Sequence, residues 1–108
     1  MIARVTLAEI DPVRTNVDDA IDVFNHSVLP ALREEEGYEG SYVLLSLEGK
    51  VLVLTFWSTR ADAAAGLQSG FYGDQLLKFV TVFRSSPGRE TYDVVVAEAP
   101  VDVAWETT

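Results

Sequence analysis

Few side chains in this 108-residue chain are equipped for chemistry, and their types narrow what that chemistry is. There is one histidine, His26, and no cysteine. An imidazole titrating near neutrality suits a general base. Without a second histidine, a thiolate or paired carboxylates at ligand spacing, a metal centre has no support. Asp22 precedes His26 by one helical turn, although nothing else marks it as a partner. The competing assignment for His26 is an ordinary residue at the border of a helix. Phosphate-binding glycine loops and serine nucleophile elbows are absent. What remains is aromatic. Trp57, Tyr42 and Tyr72 each join a ring to a polar atom, and Thr55 and Ser46 offer hydroxyl anchors. With Phe24, Phe71 and Val53 they are candidates to line a pocket for an apolar or aromatic small molecule. There the rings would bind and His26 or Tyr72 would manage a proton. The same rings would serve equally well as core.

These residues hang on one stretch, Gly37 to Trp57, which reads as a β-hairpin. Two runs rich in Val, Leu, Tyr and Phe flank Glu48-Gly49, and a two-residue loop with glycine second suits a type I′ turn. That loop pairs Leu45 with Leu52, Val43 with Leu54 and Ser41 with Phe56. Alternation then puts Val43, Leu45, Leu47, Leu52, Leu54 and Phe56 on one face. Tyr42, Leu44, Ser46, Val51, Val53, Thr55 and Trp57 fall on the other, mixed face. A ribbon apolar on both sides needs two covers. Helices of the same small domain supply one, and a second copy of the chain is expected to supply the other.

Around the hairpin, Ile2 to Ile10 reads as a strand with Arg4, Thr6 and Ala8 on one side, ended by Asp11-Pro12. Thr15 or Asn16 caps a helix that runs to about Glu36, with Val17, Ile21, Phe24, Val28 and Leu32 as its apolar stripe. Pro30 lies inside that helix and should kink it, at a cost of roughly 3 kcal/mol. Gly37 follows as the left-handed residue beyond its end. Ser58 or Thr59 caps a second helix, interrupted by Gly66, Gly70 and Gly73, with a cleaner piece from Asp74 through Leu76, Leu77, Val80 and Phe83. The glycine-hinged segment is either an access lid or a loop. Ser86-Pro87-Gly88 turns the chain into a last strand, Glu90 to Ala99. The order βαββαβ predicts an α+β, ferredoxin-like antiparallel sheet. Residues 1–99 make one domain and 100–108 a tail.

Charge excludes some partners. Seventeen acidic residues against 8 basic give a formal net charge of −9. A nucleic acid would be repelled. An anionic ligand would need Arg4, Arg33, Lys78, Arg84 or Arg89. The start of the chain lacks the apolar core of a signal peptide, and no run is long enough to span a membrane. A cytoplasmic setting is the expectation.

The run from Leu29 to Ala65 resembles the antibiotic-biosynthesis-monooxygenase type of the dimeric α/β-barrel superfamily. Pro30, the Gly37-Tyr38-Glu39-Gly40 motif, and Trp57 ending its strand ahead of an Ala-rich helix carry the resemblance. It implies a homodimer enclosing a barrel, with a pocket in each subunit on the tryptophan side. Superfamily members include cofactor-free monooxygenases of polycyclic phenols and heme-degrading oxygenases, and Trp57 falls on the tryptophan used in both. Other positions depart. Val53 stands where the monooxygenases place an asparagine, and Ala63 where they place a tyrosine. Ala3 stands where heme degraders place an asparagine, and the second helix has no histidine, so heme ligation of that kind is not expected. The resemblance implies a cofactor-independent monooxygenase, with a non-catalytic small-molecule-binding or stress-related protein as the alternative.

Overall fold

The computed structural model describes residues 1–98 other than 12, 14, 80, 85 and 86. In chain order come β1 (Ile2–Glu9), α1 (Val17–Val23), a π-helical turn (Phe24–Val28), α2 (Leu29–Arg33), β2 (Tyr38–Leu45) and β3 (Lys50–Trp57). They are followed by α3 (Arg60–Gln68), α4 (Phe71–Leu77) and β4 (Gly88–Asp93). The strands form one antiparallel sheet in the order β2-β3-β1-β4. This is the ferredoxin-like α+β architecture expected, with β1 and β3 central. Pro12, Val80, Ser86, Ala99 and the tail, on which other expectations fell, lie outside the described residues.

The hairpin forms, but one residue out of the expected register. Leu45 faces Val51, Val43 faces Val53 and Ser41 faces Thr55. The loop has three residues, Leu47-Glu48-Gly49, not two. Ser46 N–H donates to the Lys50 carbonyl at 2.9 Å, and Ser46 Oγ accepts from the Lys50 amide at 3.0 Å. Gly49 at φ 89° takes the left-handed position that a three-residue loop requires of its last residue. A one-residue slip turns a whole strand over. Val43 and Leu45 therefore join Val53 and Thr55 on the helix side, while Tyr42 and Leu44 turn to the open side. A bulge between Tyr38 and Gly40 reverses the alternation once more and pairs Tyr38 with Trp57.

The first helix starts as expected. Asn16 Oδ1 accepts from the Asp19 amide at 3.2 Å. Its passage past Pro30 differs from expectation. The Leu29 amide reaches back to the Phe24 carbonyl, five residues away, so the turn from Phe24 to Val28 is π-helical. Pro30 then sits in the first turn of α2, where a missing N–H costs little. The widened turn replaces the expected clash, and α2 ends at Arg33, short of Glu36.

Thr59 caps α3 by accepting from the Asp62 amide at 3.1 Å. Thr59→Ala should lower stability by about 1 kcal/mol in urea unfolding, the usual worth of such a cap. Gly66 lies within α3 and Gly73 within α4, so neither interrupts a helix. Gly70, at φ 83°, makes the one break between them. α4 begins at Phe71, earlier than expected, and stops at Leu77; Phe83 instead bridges to Ile10. β4 ends at Asp93, short of Ala99.

The helix side of the sheet holds two separate apolar clusters. Ile2, Val28, Leu32, Trp57 and Ala63 pack at one end. Ala8, Ile10 and Val51 pack at the other. The layer between them is polar, because β1 contributes Arg4 and Thr6 there and β3 contributes Thr55.

Candidate functional site

Above that polar middle layer lies a cavity of about 570 Å³, roofed by α1, the π turn and α4. Its volume is in the range that takes a drug-sized molecule. Ile21, Val43 and Leu45 line it and remain nearly half exposed, which marks its open side. β2 is an edge strand, so among the described residues no further strand closes that flank.

The walls are built by alternation and by helix ends. Trp57, the last residue of β3, is 2% exposed, and its Nε1–H donates to Thr55 Oγ1 at 2.9 Å. Tyr38 meets its ring edge to face, with centroids 5.7 Å apart. Tyr72, in the first turn of α4, shares a 2.5 Å hydrogen bond with the Thr6 hydroxyl from β1. Phe71 precedes it. The π turn presents Phe24, and β3 presents Val53. Of the residues singled out in the sequence, Trp57, Tyr72, Thr55, Val53, Phe24 and Phe71 are thus brought together around one space.

Three are not brought there in the expected way. His26 is exposed, does not line the cavity, and donates from Nδ1 to the Asp22 carbonyl at 2.9 Å. Its partner is backbone, not the Asp22 carboxylate. Tyr42 touches the cavity rim, but its ring packs edge to face on Phe56 at 6.0 Å, and Phe56 belongs to the open face. The register shift is the reason. Ser46 is spent in the hairpin turn.

Arg4 is the residue whose role the sequence reading missed, having placed it only among five possible cations. It is 3% exposed, in the middle of the central strand β1. Its guanidinium carbon lies 5.7 Å from the Trp57 ring centroid and 5.2 Å from that of Tyr72. Arg89, from β4, stands 5.6 Å from the same tyrosine ring. Nε and Nη2 of Arg4 are out of water with no hydrogen-bond partner. Burial pushes the guanidinium pKa below its ordinary value; Tyr72 opposes this and Arg89 adds to it. An arginine stays charged regardless.

Magnitudes show how unusual this is. Two desolvated ring contacts stabilise by about 2 kcal/mol each at best. Burying the ion costs several kcal/mol, and each unmade donor adds about 1–3 kcal/mol or more. The balance favours an oxygen partner that none of the described residues provides. The signal was available in the topology. A ferredoxin-like order makes β1 central, so a charge at Arg4 on its helix-facing side has nowhere to reach water.

No protein-family model matches the chain, and no curated protein does. Solved structures do. A monooxygenase from the gene ActVA-Orf6 of Streptomyces coelicolor, in complex with nanaomycin D, superposes with a TM-score of 0.71. It is 14% identical, over 92% of this chain and 91% of that one. The fold is that of the antibiotic biosynthesis monooxygenases. Another structure of that description matches at TM-score 0.67 and 13% identity, over 89% of this chain and 100% of its own. A protein of unknown function from Nitrosomonas europaea matches at 0.68 and 21%, over 93% and 94% of the two chains. Among the described residues no helix is long and apolar enough to cross a membrane.

Proposed function

We propose that this chain is a cofactor-independent monooxygenase acting on an aromatic or polyketide-like small molecule, and that it works as a homodimer. The observation that carries the reading is the aromatic-walled cavity beside Trp57, in which Tyr72 and Thr6 hold a hydroxyl pair. A protein of the same fold holds nanaomycin D. Electron-rich substrates such as anthrones lose a ring proton to give a carbanion that reacts with oxygen directly. The hydroperoxide formed loses water and leaves a carbonyl, so CH2 and O2 become C=O and H2O without an added reductant. The protein need only bind the ring, exclude water and move protons. Phe24 and Phe71 flank the ring, with Trp57 behind them, and the Tyr72–Thr6 pair relays the proton. His26, exposed and bonded to backbone, has no part in it.

Oxygen uptake on a panel of hydroxylated anthrones and quinols tests the reading. Tyr72→Phe keeps the ring and removes the relay, and should lower the rate by about 10²–10⁴-fold, as loss of a proton-transfer group does. No uptake above the uncatalysed rate for any of the panel counts against an enzyme. One observation favours the alternative of a binding protein. The Trp57 N–H is already taken by Thr55, and Val53 offers no polar atom, so little is left to act on a substrate. Tryptophan quenching by these ligands in a Trp105→Phe background, without product, would select that alternative.

The dimer reading rests on the open face of the sheet. Leu7, Leu44, Tyr42 and Tyr92 are each about half exposed there, alongside Leu52, Leu54 and Phe56. A continuous apolar sheet face of this kind marks an interface. A second copy packed face to face would cover it, and an acidic, cysteine-free chain fits a cytoplasmic setting.

A further inference from the structure

We propose that the cavity is a seat for a planar polycyclic ligand carrying an anionic oxygen, a carboxylate or an ionised phenol, held by the Arg4 guanidinium. The proposal rests on the small-molecule reading above and names the ligand's class, but requires no oxygen chemistry. Arg4 is the one full charge among the described residues that line the cavity, and none of those residues is acidic. Two of its donors are unmade. Its Nη1 faces Gly66, where a side chain on α3 would begin 3.8 Å away and none exists. The fork of an arginine matches the paired oxygens of a carboxylate and the single oxygen of a phenolate. Trp57 and Tyr72 hold that fork in place through their ring faces, and the half-buried rings of Phe24, Phe71 and Tyr72 along the cavity wall offer apolar surface to the remainder of the ligand.

A purely structural role explains less. If Arg4 served only to pack between rings, a methionine of similar reach would do so through favourable sulfur–aromatic contact, without a buried charge. Of the other cations, Arg89 lies 5.6 Å from the Tyr72 ring but is not among the residues that line the cavity. Lys78 donates to the Ser27 carbonyl and to Gln75 Oε1, and Arg84 pairs with Asp11 at 3.6 Å. With a net charge of −9 the chain as a whole repels anions, so selection for an anionic group has to be local.

Calorimetric titration of the intact chain with anthraquinone-2-carboxylate and with anthraquinone-2-carboxamide separates charge from shape. The carboxylate should bind roughly 10- to 100-fold tighter, the worth of one charged hydrogen-bond set. In Arg4→Met that preference should vanish while the carboxamide binds within about threefold of the original, and the ligand-free melting temperature should rise. Titration with 2-hydroxyanthraquinone across its ionisation distinguishes the two oxygen sources. Affinity that climbs with pH in the natural chain and stays flat in Arg4→Met assigns a phenolate; a flat profile in both assigns the carboxylate. Equal affinity of the natural chain for acid and amide overturns the proposal, and needs no variant to be seen. So does a melting temperature that falls in Arg4→Met with carboxamide binding lost, which would make Arg4 a structural prop. Failure of both probes to bind overturns the seat and the pocket reading together. Acid-selective binding without oxygen uptake would instead remove only the monooxygenase.

Discussion

If the proposed homodimer forms through the open face of the sheet, Leu54→Asp is expected to turn it into a folded monomer. Leu54 lies on the open face of the sheet, opposite Val5 on β1 and Tyr42 on β2. In a face-to-face pair related by a two-fold axis, one substitution introduces two charges into the same apolar layer. Each loses hydration worth several kcal/mol with no partner to repay it. Even at about 2 kcal/mol per subunit, the dissociation constant rises by roughly a thousandfold. Sedimentation equilibrium checks the mass, and far-UV circular dichroism checks that the sheet persists, since water reaches this face once the copies part. A natural chain that is already monomeric at micromolar concentration sinks the dimer. An unchanged mass for Leu54→Asp would move the interface to some other surface.

Trp57→Ala should be the most destabilising single change within the fold. The indole is almost wholly buried, joins β3 to Ile2, Val28 and Leu32, and bears one of the two ring contacts to Arg4. Truncating a buried aromatic costs about 3–5 kcal/mol. Loss of the edge-to-face contact with Tyr38 adds about 1 kcal/mol. The thermal midpoint should fall by on the order of 15 °C or more. Trp57→Phe retains a ring and should lose less than half as much. Thermal and urea unfolding measure both. A cost below about 1 kcal/mol for the alanine variant would mean that the core does not depend on the indole. The neighbouring Thr55 hydroxyl loses its donor in either variant, so the difference between the two reports the packing of the ring.

The two kinds of information divide along a physical line. Period-2 alternation, glycines at turns and capping residues are local, and from them the strands, a cap at Thr15 or Asn16 and the βαββαβ order could be read directly, while the pocket on the Trp57 side was implied by the family resemblance. A hairpin's register depends on one loop residue more or less. Leu47-Glu48-Gly49 and Glu48-Gly49 both satisfy local turn chemistry, and only the face of β2 that the folded chain turns toward the helices discriminates them. That single residue moved Val43 and Leu45 to the cavity and turned Tyr42 away. Pro30 was visible, but a π turn as its accommodation was not, because the alternative depends on what Phe24 and Val28 pack against.

Arg4 shows the division most sharply. Its neighbours in sequence, Ala3 and Val5, say only that it sits in a strand. That it is held dry between two aromatic rings follows from β1 lying between β3 and β4 beneath the helices. Residue types and their alternation were sufficient for the fold class, because burying apolar faces leaves few arrangements of these elements. What the middle of the molecule contains, a buried charge with unmade bonds beside a cavity, came from contacts between residues up to 68 positions apart, as Arg4 and Tyr72 are, and only the folded chain brings such residues together.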